Sequence, residues 1–401
     1  MAKNITIKDA TLAERLKLID AQLDVINKDA GIKEGDQPIA FRADDSAAQG
    51  KLKTEYIQTP CMELNEQISG KPGIGGFPIG SATFITGRSD SGKTHLILET
   101  IGLQMAKDPN FIVLWIESEQ SLVEDSLEMF HIDPQRFVLI YASARDGGEQ
   151  ILDRAESLLN TGAFKMFVIN SLKALTPKSI IDKPVSEDTM AAHARMNSKF
   201  MAKFGPLFSG LHIAAVVVQH LASSMQPMSR DPFVMTGGEQ IKYRNMLQLD
   251  LRKQSIGEGD PIGKEEGMKI TVYVRKNHLN STQYPYVKIT YYVIYGQGIE
   301  TKLALLQRGL DRGVLTKAGA YIKFVDKTTG EVLSWQGRQA FRNALSDPDL
   351  YAKIEAACGG LEEALTPEEI EEFETDEVTA ETKPARKGRK KKAEEPADAT
   401  E

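Results

Sequence analysis

GRSDSGKT, residues 87–94, decides how this chain is read. The run fits G-x-x-x-x-G-K-[ST], with Gly87, Gly92, Lys93 and Thr94 at the fixed positions. SATFIT (81–86) ahead of it reads as a short buried strand, and HLILETIGLQMA (95–106) behind it as an amphipathic helix. The glycines let backbone N–H groups turn inward around phosphate oxygens without a Cβ clash. The helix N-terminus sets partial positive charge beneath the anion. Gly87, Arg88, Ser89, Asp90, Ser91, Gly92, Lys93, Thr94 and His95 are therefore assigned to the phosphates of ATP, with Lys93 reaching the β- and γ-groups and the Thr94 hydroxyl on Mg²⁺. A chance glycine turn would explain Gly-Lys-Thr alone, but not the strand and helix on either side.

Outward from this run, strand and helix patterns alternate from residue 54 to about 300. Strand candidates are FIVLWIE (111–117), FVLIYA (137–142), MFVIN (166–170), IAAVVVQH (213–220), MLQLDLRK (246–253), KITVYVRKN (269–277) and YVKITYYVIY (286–295). Helical patterns fall at 95–106, 119–130, 148–160 and 189–209. Such alternation predicts an α/β fold, a mostly parallel sheet with helices on both faces. The last three strands follow one another without a helix and read as an antiparallel or mixed extension. The long polar stretches 177–188 and 221–238 follow parallel strands, where such folds place ligands.

An ATPase also needs a carboxylate that activates the attacking water. Glu117 and Glu119 sit at the end of strand 111–117; Glu119 is the first choice as base and Glu117 the runner-up, both read as facing the crevice. The strand that usually ends in a metal-orienting Asp ends here in Asn170, which accepts a hydrogen bond but carries no charge. Weak Mg²⁺ affinity or slow hydrolysis is expected, with a gain on Asn170→Asp. Gln219 and His220 close strand 213–220, where a polar group can sense a γ-phosphate and pass the signal into 221–238.

The chain has 401 residues, 41% hydrophobic and 26% charged, a composition ordinary for a water-soluble globular protein. No run reaches the roughly 18 apolar residues a membrane helix needs. MAKNITIKDATLAERLK lacks an apolar signal core, and Cys61 and Cys358, the two cysteines, fit a reducing cytoplasm. The net charge of −7 equals that of residues 362–401 alone, with 14 acidic and 7 basic side chains, so the remaining body is neutral and open to polyanions.

Four regions follow. Residues 1–53 hold an amphipathic helix (8–29), with Thr11 and Glu14 as a capping box, and a linker (31–51). Such a helix wants a partner surface. Residues 54–300 form the core, 301–361 a small segment with helices at 303–312 and 346–357 and a hairpin within 320–334, and 362–401 a charged tail, including PARKGRKKK (384–392), whose composition reads as disordered.

Taken together, these residues resemble the RecA-family recombination ATPases, and most of all the UvsX-type recombinases of bacteriophages. The similarity runs from about 54 to 325. Its carriers are GIGGFPIG (73–80), NSLKALTPKS (170–179), MAAHARMNSKFMAKF (190–204), TGGEQIKYRNMLQLDLRK (236–253), VRKNH (274–278), YGQGI (295–299) and KAGAYIKF (317–324). The resemblance implies a RecA-like phosphate-loop core with Glu119 as catalytic glutamate and His220 as the switch residue, a position held by Gln in bacterial RecA and by His in the phage proteins. It implies that Lys276 reaches the nucleotide of an adjacent subunit, while His278 replaces a second such lysine. It implies two DNA-binding loops, about 179–190 and 221–238, with Arg195, Met228, Arg230, Phe233 and Lys242 as DNA contacts; Met225 and Met235 add apolar groups for insertion between bases. The helix at 8–29 packs on the neighbouring subunit in this scheme.

The activity implied is ATP- and Mg²⁺-dependent: a homo-oligomeric helical filament on single-stranded DNA that pairs with duplex and exchanges strands, with a single-strand-binding protein and a loader as partners. Its location is the cytoplasm, the host's if the chain is phage-encoded. Two readings compete with it: a hexameric RecA-fold helicase or motor, and a nucleotide-gated DNA-binding filament with little catalysis, which Asn170 suggests.

Overall fold

The computed structural model describes residues 11–31, 40–42, 44, 53–143, 145–184, 190–223, 233–235, 245–257, 260–280, 287–326 and 329–359. They divide into two compact units, the first ending at Ile299 and the second beginning at Glu300.

The first unit is built on one large sheet. Its strands are β3 (Ala82–Gly87), β4 (Val113–Glu117), β5 (Phe137–Tyr141), β6 (Met166–Asn170), β7 (Ala214–Ser223), β9 (Leu247–Gln254), β10 (Gly267–Asn277), β11 (Lys288–Ile294) and β12 (Gly298–Ile299), with the short β1 (Tyr56–Ile57) and β2 (Phe77–Pro78) forming a separate ribbon and β8 (Phe233–Met235) pairing with β7. The spatial order is β12-β11-β10-β9-β3-β7-β6-β4-β5. From β9 to β5 every pairing is parallel; β9, β10, β11 and β12 pair antiparallel. The mixed extension expected from the sequence is therefore present.

Period-two alternation assigns the strand side chains to two cores. Ile85, Val113, Trp115, Val168, Val216 and Val218 face one layer, shared with α2 (Met62–Ser69) and α3 (Lys93–Lys107). Phe84, Leu114, Ile116, Phe167, Ile169 and Val217 face the other, shared with α5 (Gly148–Leu159) and α7 (Met190–Gly210). In that second layer Phe200, Phe204 and Phe208 recur at helical spacing and stack among themselves and on Phe167. Each ring pair adds about 0.5–1.5 kcal/mol beyond its burial.

Several boundaries differ from the sequence reading. The helix expected at 119–130 is only α4 (Glu124–Met129), because the Glu117 carboxylate accepts the amides of Glu119 and Ser121 and Gln120 turns left-handed at φ 54°. β7 runs three residues past His220, and a one-turn helix, α6 (Lys178–Ile181), interrupts 177–188. Gly75 in the lead-in has φ 135°, and a Cβ there would lie 1.7 Å from the Asn65 carbonyl oxygen, so α2 and the lead-in close up only on glycine.

At the N-terminus α1 (Leu12–Asp29) carries the capping box: Thr11 Oγ1 accepts the Glu14 amide, and Glu14 Oε2 accepts the Thr11 amide. Leu12, Leu18, Ile19, Val25 and Ile26 on it are exposed. The second unit has α8 (Thr301–Asp311), α9 (Gly337–Ala344) and α10 (Pro348–Gly359) around an antiparallel sheet of β13 (Leu315–Ala318), β14 (Tyr321–Val325) and β15 (Val332–Gln336). Leu305, Leu315, Phe324, Phe341 and Ile354 fill its core. The sequence reading missed α9, whose single buried side chain, Phe341, leaves little apolar periodicity to detect.

Candidate nucleotide site

β3, buried along all six residues, delivers Gly87 to the edge of the sheet, and α3 begins six residues later. Between them Asp90 and Gly92 take left-handed conformations, φ 56° and 85°, which fold the run back over the helix N-terminus. The first intrahelical bond, Leu96 N to Gly92 O at 3.0 Å, leaves the amides of Lys93, Thr94 and His95 at that N-terminus. Lys93 is 6% exposed; its Nζ donates to Arg88 O at 2.7 Å and Gly87 O at 3.3 Å. Burial lowers its pKa, opposed by the charges of Glu119, Asp90 and Asp250. Arg88, Ser89 and Asp90 are exposed, Thr94 is half-buried, and Ser91 Oγ is buried without a hydrogen-bond partner. His95 points elsewhere: its Nε2 lies 3.2 Å from Glu99 Oε2 and its ring meets Phe130 edge-on at 4.7 Å. Its backbone, and not its imidazole, stays beside the loop.

The same alternation places three strand-end groups on the α3 side of the sheet. Glu117 follows Trp115, Asn170 follows Val168, and His220 follows Val218, each two residues on. Glu117 and Asn170 are register partners. Glu117 is fully buried, so it does not face the crevice. Its Oε2 accepts from Trp115 Nε1 (2.9 Å) and Asn170 Nδ2 (3.0 Å), and its Oε1 from the amides of Glu119 (3.0 Å) and Ser121 (3.2 Å). A carboxylate so enclosed has no route to a water, which removes the runner-up base. Glu119 is partly exposed, and its Oε1 lies 2.5 Å from His220 Nε2. Sequence reasoning found each of these residues but not that they touch, since they are 101 residues apart.

A cavity of about 770 Å³ opens beside the loop, lined by Arg88, Ser89 and Ser91, by Asp250 to Ile256, and by Lys264, Met268 and Tyr295. Asp250, 2% exposed, holds its wall: its Oδ2 accepts from Arg252 (2.8 Å) and Arg275 (2.9 Å), whose guanidiniums also lie over the Tyr273 ring. Asp260 pins the outer turn, accepting from Lys269, the Gly257 amide and Tyr292. The sequence reading passed over Asp250, although a lone acid inside the apolar run LQLDL, level with Thr86, is a usable signal.

The remaining candidates are dispersed. Arg195 is exposed on α7, away from the buried phenylalanines. Lys276 pairs with Gln248, which is level with Phe84, so it sits three residues, about 10 Å, behind Gly87. The fold does not bring it to its own phosphate loop. The backbone of Phe233 pairs with Ser223, which makes β8 the return strand of a hairpin on β7. Met225, Met228, Arg230 and Lys242, most of the stretch 221–238, and the tail 362–401 lie outside the described residues.

Mg²⁺ keeps several waters and is commonly held by one or two side chains together with substrate phosphates. The site offers oxygens suited to that habit: Asn170 Oδ1 and Ser171 Oγ are buried without partners among the described residues. No described helix is long and apolar enough to cross a membrane.

The model of the RecA N-terminal domain matches residues 35–300. RecA proteins are similar over most of their length. That of Cutibacterium acnes is 28% identical over 328 residues, covering 80% of this chain and 88% of the relative. That of Aquifex pyrophilus is 28% identical over 86% of this chain and 91% of its own. That of Streptomyces ambofaciens is 28% identical over 93% and 94%. With a family match over more than half its length, seated on the sheet, loop and strand-end groups just described, this chain belongs to the RecA family and is a RecA-like recombinase.

Proposed function

We propose that the chain is an ATP-dependent DNA recombinase that assembles on single-stranded DNA and exchanges strands with a homologous duplex. The observation that carries this is the Glu119–His220 hydrogen bond, which joins the candidate base to the strand that continues into the β7–β8 hairpin.

Lys93 bonds its own loop carbonyls, and Glu119 is engaged by His220. With a triphosphate in the loop, Lys93 exchanges those carbonyls for phosphate oxygens. His220 gains a second acceptor in the γ-phosphate, and Glu119 is released to take a proton from the attacking water. Thr94 Oγ1 and Asn170 Oδ1 would hold Mg²⁺, which neutralises phosphate charge when bound. The cavity beside Tyr295 takes the nucleoside. Movement of His220 shifts β7 and with it the two ends of the stretch 224–232, so γ-phosphate occupancy sets DNA affinity.

Lys276, too far back to serve its own loop, acts on the nucleotide of the next subunit. The exposed apolar side chains of α1 pack on a neighbour and drive helical filament growth. Met228, Arg230, Phe233, Lys242 and Arg195 are assigned to DNA, and His220 supports reading the chain as a UvsX-type phage protein. A single-strand-binding protein and a loader are its accessory partners. Measuring ATP turnover with and without single-stranded DNA, together with electron micrographs of the nucleotide complex, tests the reading. DNA-stimulated turnover and helical filaments are expected; closed rings, or duplex unwinding without pairing, would contradict it.

A further inference from the structure

The carboxylate that the RecA-like site lacks at Asn170 is present one strand away. Glu117 and Asn170 are neighbours across the β4–β6 pairing, on the sheet face covered by α3, whose first turn carries Lys93 and Thr94. Their contact fixes the amide. A carboxylate only accepts, so the side of Asn170 facing Glu117 must be its NH₂ group. Nδ2 donates to Glu117 Oε2 at 3.0 Å and to Ser121 Oγ at 3.2 Å. Ser121 Oγ lies 3.4 Å from Glu117 Oε1, closing a ring of three side chains of consistent polarity. A flipped amide would press its oxygen against a carboxylate oxygen.

One atom is left over. Asn170 Oδ1 is buried and has no hydrogen-bond partner. The opposite neighbour of β6 in the sheet is β7, which in turn borders β3, the strand that delivers the phosphate loop. A buried orphan acceptor costs free energy unless a ligand supplies the donor. Because Nδ2 is bonded to an anion, charge is drawn toward Oδ1, making it a stronger acceptor than an isolated amide.

We propose that Glu117 is a positioning residue for the metal subsite: it orients Asn170 so that Oδ1 receives a metal-bound water, and it supplies from β4 the negative charge that Asn170 does not carry. The pair is a transposed carboxylate, with its charge on one strand and its ligand atom on the next. This rests on the nucleotide reading above. It also revises the expected gain from Asn170→Asp, since that exchange alone sets two carboxylates about 3 Å apart.

The test measures binding of a fluorescent ADP to the full chain in excess Mg²⁺ and in EDTA, the ratio being the metal increment. Glu117→Gln should lower the increment about 10-fold and leave binding in EDTA little changed, the usual scale for a residue behind a ligand. The introduced amide presents an NH₂ group to the ring, so the Asn170 amide turns over and Oδ1 is lost to the site. Asn170→Asp alone should not raise the increment. The double exchange, Glu117→Gln with Asn170→Asp, should return it to within about 3-fold of the parent, a coupling that independent effects cannot give. Its thermal stability should not recover fully, because Trp115 Nε1 shares the same Glu117 oxygen.

Should Glu117→Gln not fold, Asn170→Ala, which leaves Glu117 its donors at Trp115, Glu119 and Ser121, must lower the increment in the same way. An unchanged increment in these variants, a gain in Asn170→Asp alone, or a double variant no better than Glu117→Gln overturns the proposal while ADP binding itself stands. A parent that binds no ADP in either condition overturns the nucleotide reading as well.

Discussion

Glu119 Oε1 and His220 Nε2 are 2.5 Å apart, bridging the ends of β4 and β7 across the intervening β6. One hydrogen bond therefore connects the group proposed to act on water with the group proposed to read the γ-phosphate. Glu119→Gln should bind ATP normally but turn it over at least about 100-fold more slowly, the scale of a lost general base. His220→Ala should retain nucleotide binding yet lose the nucleotide dependence of DNA affinity. Fluorescence anisotropy of a labelled single strand, with and without a non-hydrolysable ATP analogue, checks this; a variant whose affinity still responds to the analogue removes His220 from the pathway.

Lys93 is the buried cation of the loop. Lys93→Ala should abolish measurable ATP affinity while leaving the fold intact, because the ammonium bonds only carbonyls of its own loop. Calorimetric titration and circular dichroism read the two parts separately. If this variant assembled on DNA and exchanged strands as the parent does, with nucleotide omitted, the proposed function would collapse.

The register that keeps Lys276 about 10 Å behind Gly87 makes a complementation experiment decisive. Lys93→Ala and Lys276→Ala should each be inactive alone. Mixed in equal amounts, they should recover roughly a quarter of parental turnover, since a head-to-tail interface draws one group from each subunit. No recovery on mixing would place Lys276 outside the neighbour's site.

The turn beside the cavity carries a pH signature. Asp260 is held at about 2 by the hydrogen bond from Lys269, with the Gly257 amide and Tyr292 adding to it. A depressed carboxyl contributes stability that is complete above its ordinary value of 3.8 and disappears as pH falls toward about 2. Amide exchange in 252–257 and 260–269 should therefore accelerate across that window in the parent. In Asp260→Asn it should already be fast at neutral pH and show no further step.

Residues 362–401 carry the whole net charge of −7. Their deletion should raise duplex affinity at low salt, with the difference vanishing as salt screens it. Equal affinity of both forms across a salt series would rule out competition by the tail.

The sequence shows the phosphate loop, its flanking elements and the strand-end candidates because each depends on local spacing: period two in the strands, 3.6 in the helices, fixed offsets in GRSDSGKT. Contacts between distant segments carry no such trace. Glu117 reads as a crevice acid until Trp115, Asn170 and Ser121 close around it, and that enclosure also shortens the helix expected at 119–130. Asp250 with Arg252 and Arg275 is likewise a tertiary event, visible in sequence only as an acid out of place in an apolar strand.

The pairing of Ser223 with Phe233 has a consequence for engineering. Segments of different length or composition can be grafted between those two positions, because the anchoring hydrogen bonds belong to the hairpin stem and the closure penalty rises only slowly with added residues. Under the proposed function, chimeras made at this junction should change which polymer is gripped while the fuel chemistry beneath stays as it was.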